Sequence, residues 1–236
     1  MQSPSQEFSV KEKSFVVLAS IFCVVLIITN FLGTKIFSFF SLPLPASVII
    51  YPITFVFNAL ITEIYGKSHA RFVVYLGFFV TLFAFLFVHL IISLPPHPFW
   101  ILSPEVSHLS TEESQQALKV TFHASGIMLG SSLFAYLCAQ LTDVFVFSKL
   151  RVKTNGKALW LRSGVAIGVS QAVDTTIVSL LVLFFGLHMD LSKSFYLILT
   201  TYSVKMAVAF LATPLLYVLV RLFRKLSRPS ITLETA

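Results

Sequence analysis

Six stretches of about twenty mostly apolar residues, joined by short polar segments, run through this chain. A helix needs about 20 apolar residues to cross the hydrocarbon core of a membrane. Only 11% of the residues are charged, against about 25% in soluble domains, so lipid is the expected solvent. The sequence predicts an all-α polytopic membrane protein, a single domain spanning residues 1–236. Its six transmembrane helices are predicted over about 14–33, 46–65, 71–94, 122–147, 162–187 and 195–221.

Basic residues are distributed unequally between the two sets of connecting segments. Only Lys35, Lys119 and Lys193 fall in one set, and the other set holds thirteen. Because Lys and Arg accumulate on the cytosolic side of membrane proteins, both termini are predicted to be cytosolic. This asymmetry explains the net charge of +7. Because the basic residues are divided among several loops that flank the membrane, we expect no nucleic-acid partner. The thirteen are Lys11, Lys13, Lys67, Arg71, Lys149, Arg151, Lys153, Lys157, Arg162, Arg221, Arg224, Lys225 and Arg228.

Polar and charged residues interrupt the apolar segments, where a charge costs about 2.5–3.5 kcal/mol near the bilayer centre. Such residues normally face the interior of a helix bundle, so they are the candidate substrate-binding residues. Asp174 lies 12 residues after the predicted start of its helix, or about 18 Å deep, close to the midplane. The candidate residues are Asn58, Glu63, Gln140, Asp143, Gln171, Asp174, Tyr202 and Lys205.

Each of these carboxylates also has a purely structural interpretation. Asp174 could form an ion pair with Lys205 on the last helix, and this is as well supported as a binding role. Asp143 lies just before the basic segment that begins at Lys149, so a salt bridge to that segment is slightly favoured. Glu63 precedes Lys67 by four residues, a spacing that favours helical pairing.

Smaller sequence patterns predict local structure. Ser110-x-x-Glu113 is typical of a capping box that opens a short surface helix. Two GxxxG pairs, which begin at Gly126 and at Gly164, predict close approach of the fourth and fifth membrane helices as a hairpin. An exposed GxxxG could equally serve a homo-oligomer, so the oligomeric state stays open.

Catalytic signatures do not appear in the sequence. There is no GxSxG nucleophile elbow and no HExxH metal motif, and Ile61 stands where a phosphate loop ending in YGKS would need Gly. We therefore expect neither enzymatic activity nor a cofactor or metal. Amides, carboxylates and aromatic rings inside a bundle instead favour a carrier for a small planar solute with hydrogen-bonding edges.

The order of four motifs resembles the queuosine precursor transporter family of small bacterial inner-membrane proteins. The motifs are YPITFVFNALITEIYGKSHAR, AYLCAQLTDVFVFSKLR, SQAVDTTIVSLLV and YSVKMAVAF, and the resemblance spans about Asn30 to Pro214. It implies a six-helix carrier that imports 7-deazaguanine bases (preQ0, preQ1 or queuine) for tRNA modification. The chain departs from the family motif at one point, where Asn58-Ala59 replaces a Thr followed by an Asp.

Carried onto this sequence, the resemblance assigns roles to the candidate residues. Asp174 with Gln171 is expected to bind the guanine-like edge or the cationic aminomethyl group of the substrate. Lys205 would balance charge and contact the carbonyl oxygen. Gln140, Asp143 and Glu63 would line the cytosolic exit or take part in gating. The alternative is a substrate-binding membrane subunit of a vitamin-type uptake system that a separate ATPase energises, since size and helix count fit both.

Overall fold

The computed structural model describes residues 9–32, 35–39, 42–98, 100, 110–122, 126–181 and 191–226. Within them the chain forms helices and one β-hairpin. In chain order the elements are α1 (Val10–Leu32), β1 (Ile36–Phe39), β2 (Leu42–Pro45), α2 (Ser47–Tyr65), α3 (Lys67–Ser93), α4 (Thr111–Phe122), α5 (Gly126–Lys153), α6 (Leu159–Ser179) and α7 (Leu191–Leu226).

Six long helices occupy the predicted ranges, with ends that differ by at most six residues where both ends are described. The end of the fifth predicted range, residues 182–187, lies outside the described residues. Five of the six, all except α6, are long and apolar enough to cross a membrane. The described part of α6, Leu159–Ser179, contains Arg162, Gln171 and Asp174. The described chain is therefore a multi-pass membrane protein, and the count of six spans and the cytosolic termini stay predictions.

The all-helical architecture is confirmed, and between α1 and α2 the structure adds one small element that the sequence did not predict, where β1 and β2 pair as an antiparallel hairpin. Ile36 faces Pro45, and Phe39 faces Leu42 at the turn. Two prolines in four residues of β2 remove backbone N–H donors, which excludes a helix and suits the edge strands of an isolated pair.

Helix α2 lies at the centre of the bundle. In its most apolar stretch 67% of the residues are buried, against 17–44% in the other four spans. Pro52 sits inside this helix, and the freed backbone group is tolerated at membrane depth only against protein. For this helix, the expectation that polar residues of the apolar segments face the bundle interior is therefore confirmed, since Asn58 and Glu63 are buried.

Close helix approach occurs at a glycine other than the predicted ones. A Cβ on Gly77 of α3 would lie 2.6 Å from the Tyr136 hydroxyl of α5 and 2.9 Å from Phe22 of α1. By contrast, Gly130 and Gly164 have no atom within 4 Å of such a Cβ. Helices α5 and α6 do pack as a hairpin, but the GxxxG explanation for it is wrong at these two positions, because their Cβ positions face open space.

The predicted capping box opens α4. The backbone N–H of Ser110 donates to the Glu113 carboxylate (2.7 Å), and the Glu113 N–H donates back to the Ser110 hydroxyl (3.2 Å). The same reciprocal pair joins Ser9 and Glu12 at the start of α1. Both boxes satisfy N–H groups that have no partner inside the helix.

Candidate functional site

Helix α2 carries buried polar side chains at three levels along its length. Tyr51, Asn58 and Glu63 are all buried, and the 12 residues from the first to the last span about 18 Å. Each level contacts a different combination of neighbouring helices.

The first level joins α2, α6 and α7 around Asp174. One carboxylate oxygen accepts a hydrogen bond from the Tyr51 hydroxyl at 3.1 Å, and the other accepts one from the Lys205 ammonium at 2.7 Å. The Lys205 nitrogen also lies 3.4 Å from the Thr175 hydroxyl and 5.6 Å from the centre of the Tyr51 ring. The Asp174–Lys205 ion pair expected from the sequence is present, and both of its side chains are largely buried.

The second level is an amide and carboxylate network between α2 and α5. The Asn58 amide donates to Gln140 Oε1 and to Asp143 Oδ2, both at 2.9 Å. The Gln140 amide donates in turn to the Thr54 hydroxyl at 3.0 Å. The favoured interpretation of Asp143, a salt bridge to the basic segment, is wrong. Its side chain points into the bundle and is fully buried against Asn58.

Asn58 is one of the two residues at which this chain departs from the motif of the family it resembles. Its amide supplies the N–H donors that Gln140 and Asp143 accept. Thr, which the family motif has at this position, carries one hydroxyl hydrogen and could donate to only one of them at a time. The Asn58 amide therefore makes a pair of hydrogen bonds that Thr could not make together.

The third level lies at the end of α2 and holds a buried salt bridge. Arg162 Nη1 donates to Glu63 Oε2 at 2.8 Å, and both side chains are 1% exposed. Arg151 Nε lies 3.5 Å from the same oxygen and its Nη1 donates to the Thr62 carbonyl. The sequence pointed to Lys67 as the partner of Glu63, but the Lys67 ammonium lies over the Phe145 ring at 5.1 Å.

Two of these contacts cross between the same pair of helices in a fixed register. Tyr51 meets Asp174 and Glu63 meets Arg162, so 12 residues separate the contacts on α2 and 12 separate them on α6. The two helices therefore run antiparallel, joined at both ends of a stretch of about 18 Å.

Gln171 lies between those two contacts and is 0% exposed. Neither its amide nitrogen nor its amide oxygen has a hydrogen-bond partner among the described residues, and the same is true of Asp143 Oδ1. Leaving such a group unsatisfied costs about 1–3 kcal/mol. Most buried polar groups in native proteins are bonded, so these three atoms are candidate hydrogen-bonding groups for a polar ligand or a water molecule.

Aromatic and small side chains surround the first level. The rings of Tyr51 and Phe55 meet edge to face with centres 5.3 Å apart. They form a small apolar cluster with Ala139, Ile167 and Ala209, so α2, α5, α6 and α7 all contribute. Tyr202, the remaining predicted site residue, donates its hydroxyl to the Gly168 carbonyl (3.2 Å), which joins α7 to α6.

An open cavity of about 880 Å³ lies at the Glu63 end of the bundle. Glu63 and Arg162 form part of its wall. Asp174 and Gln171 instead lie in packed interior. The sequence predicted one cavity lined by amides and carboxylates, whereas the structure places the salt bridge of the third level between the open cavity and Gln171.

Sequence reasoning missed Arg162 and Tyr51 as parts of this arrangement. Arg162 was assigned to a cytosolic loop because of its charge, yet it lies inside α6 and is buried. The helical pattern carried no signal for it, since the nine residues from Arg162 to Gln171 make about 2.5 turns and put the two on opposite sides of α6. Tyr51 appeared only as the first residue of the family motif YPITFVFNALITEIYGKSHAR.

Comparison with known proteins adds to this geometry. The family described as "Putative vitamin uptake transporter" matches residues 45–219, which include all three levels of α2 and their partners. The chain belongs to this family. A "Probable queuosine precursor transporter" of Bacillus subtilis (strain 168) is 28% identical over 189 residues, which cover 80% of this chain and 76% of that protein. No solved structure matches. The family resemblance stated from the sequence motifs is confirmed, and the chain is a member of a transporter family.

Proposed function

We propose that this protein imports queuosine precursors, the 7-deazaguanine bases preQ0, preQ1 or queuine, across the bacterial inner membrane for tRNA modification. It does so as a six-span carrier with both termini in the cytosol. The name of the Bacillus subtilis relative and the four ordered motifs support this substrate class.

The observation that carries the proposal is Gln171, three residues before Asp174, whose amide is fully buried and has no hydrogen-bond partner in the described part of the chain. A guanine-like edge presents adjacent N–H donors and a carbonyl oxygen. A carboxylate accepts from such donors, while an amide can donate and accept along the same edge. Asp174 and Gln171 together therefore match that edge, once the substrate replaces the contacts that Tyr51 and Lys205 make with the carboxylate.

The surrounding groups complete the recognition. Tyr51 and Phe55 offer ring faces, and base stacking on an aromatic ring contributes about 1–3 kcal/mol. A bidentate edge contact contributes a similar amount. When the substrate binds Asp174, the Lys205 ammonium would move a short distance from the carboxylate to the substrate carbonyl oxygen. After ordering costs, these terms support binding in the micromolar range, which suits a carrier that must also release its substrate.

The test replaces Gln171 by Met, which keeps the length of the side chain and removes both polar atoms. Because the amide has no partner among the residues that the structure describes, we expect the free energy of unfolding to rise by about 1–3 kcal/mol. Transport should nevertheless be lost. The assay measures queuosine in tRNA of a host that lacks queuosine synthesis and its own precursor carrier, fed preQ0, preQ1 or queuine separately and supplied with the enzyme that inserts each base.

The matched control is Gln115→Met. Gln115 is also buried, but it lies on α4 and donates to the Ile92 carbonyl at 2.7 Å. This variant should lose stability and keep transport per folded molecule. Wild-type transport by the Gln171 variant would refute the assigned role of this amide.

A second candidate is a substrate-binding subunit that needs a separate ATPase, favoured by the vitamin-uptake description of the family. Purified protein in liposomes distinguishes the two. Uptake of a labelled deazaguanine by the chain alone supports the carrier, whereas uptake only after addition of an ATPase subunit supports the alternative.

A further inference from the structure

The open cavity at the Glu63 end lies between the start of α6 and the last turns of α7, away from Asp174. The apolar span of α7 ends at Phe223, so Arg221 and Lys225 sit at the level where lipid headgroups begin. The cavity is lined by Glu63, Gly156, Ala158, Leu159, Arg162, Tyr217, Val218, Val220, Arg221 and Lys225.

Positive charge dominates this wall. Three cations line it against one carboxylate, and Glu63 is already paired with Arg162 at 2.8 Å and approached by Arg151 at 3.5 Å. Arg221 and Lys225 are exposed and have no ion-pair partner within the described part of the chain. The cavity therefore has a free charge of the sign that attracts an anion.

Two further features supply directed donors. Helix α6 begins in this wall after Ala158, which is left-handed (φ 53°) and makes no side-chain cap bond, and the Trp160 N–H of its first turn donates to the Tyr217 hydroxyl. The N-terminus of a helix attracts anions through its free N–H groups and its dipole. Arg162 is 1% exposed, and its Nε has no hydrogen-bond partner among the described residues. A buried guanidinium N–H without an acceptor is rare and points to a ligand.

We propose that this cavity binds the phosphate group of an anion, with Arg221 and Lys225 as the principal charges and with Arg162 and the positive end of the α6 dipole beside them. The phosphate could belong to an anionic phospholipid headgroup or to a soluble molecule. Exposed apolar residues of α7, including Leu211, Leu215 and Val218, lead to the cavity along the helix. They offer a surface for acyl chains, and the two arms of the test separate the sources.

The first arm uses Trp160, which is half-exposed beside the cavity and whose backbone N–H donates to the hydroxyl of Tyr217. Replacing Trp100 by Phe leaves Trp160 as the single tryptophan. Phosphatidylglycerol and phosphatidylcholine with brominated chains then compete to quench its fluorescence in bilayers. We expect phosphatidylglycerol to be preferred, and Arg221→Gln with Lys225→Gln to lower that preference about 25-fold, or about fivefold per cation.

The second arm titrates inorganic phosphate into the same protein in neutral detergent at constant ionic strength. A saturable change in Trp160 fluorescence that disappears in the Arg221/Lys225 variant assigns the site to a soluble phosphate. A lipid preference without this response assigns it to a headgroup. Either result supports the site.

The matched control replaces Lys149 and Lys153 by Gln. Both are exposed cations at the end of α5, and neither lines the cavity. This variant should keep the preference. An equal loss in both double variants would show a diffuse basic surface, and no preference or saturable response in the wild-type protein would overturn the proposal. The single variants Arg221→Gln and Lys225→Gln give the same answer at about fivefold each if the double variant folds poorly.

Discussion

The Asp174–Lys205 ion pair gives the sharpest test, because it separates a binding carboxylate from one that only stabilises the fold. The two groups are 2.7 Å apart and largely buried. At an effective dielectric constant of about 20 their attraction is about 6 kcal/mol. Desolvation offsets part of it, and removal of one partner of a buried pair costs about 3–5 kcal/mol.

The perturbation is a set of three variants: Asp174→Asn, Lys205→Met and the two combined. We expect each single variant to lose about 3 kcal/mol of unfolding free energy, the lower end of the range because Lys205 is partly exposed. The double variant carries no unpaired charge, so it should recover most of the loss. Titration with sodium dodecyl sulfate in mixed micelles measures these free energies.

Transport by the same variants then decides the role. We expect the double variant to be stable and inactive, because the carboxylate that reads the substrate edge is gone. Lys119→Met, a surface change on α4, should change neither stability nor transport. Wild-type transport by the double variant would refute a binding role for Asp174, and a coupling energy below about 1 kcal/mol would refute the ion-pair reasoning.

Two other substitutions test the packing and the third level. Gly77→Ala should cost about 1–3 kcal/mol of unfolding free energy, because its Cβ would lie 2.6 Å from the Tyr136 hydroxyl; Gly130→Ala, with open space around it, is the control, and equal effects would contradict the packing. Glu63→Gln should cost about 3–5 kcal/mol, since it leaves the buried Arg162 without its carboxylate. The same micelle titration measures both, and a loss below about 1 kcal/mol at Glu63 would refute the buried pair.

Hydropathy predicted the long helices because each apolar stretch must match the thickness of a membrane. The Asp174–Lys205 pair was also predictable, since a buried charge requires a partner and few candidates exist at that depth. The capping box at Ser110 was predictable for a similar reason: its spacing leaves little choice of local structure.

Other features depend on how helices rotate and pack, which a single sequence does not specify. Asp143 could face the basic segment or the bundle, and only the position of Asn58 across from it decides. Arg162 carries a charge that is typical of loops, yet Glu63 from another helix stabilises it in the interior. The glycine that matters for close packing, Gly77, lies in no recognisable motif, since its neighbours come from α1 and α5.

The equal spacing of the two contacts between α2 and α6 has a mechanical consequence. Along α6, Gln171 lies between Arg162 and Asp174. Arg162 donates to Glu63 at one end, and Asp174 accepts from Tyr51 at the other. The two contacts are about 18 Å apart and share no residue, so one can part while the other still joins α2 to α6. Because Gln171 lies between them along α6, loss of either contact alone leaves its amide beside a connection that still holds.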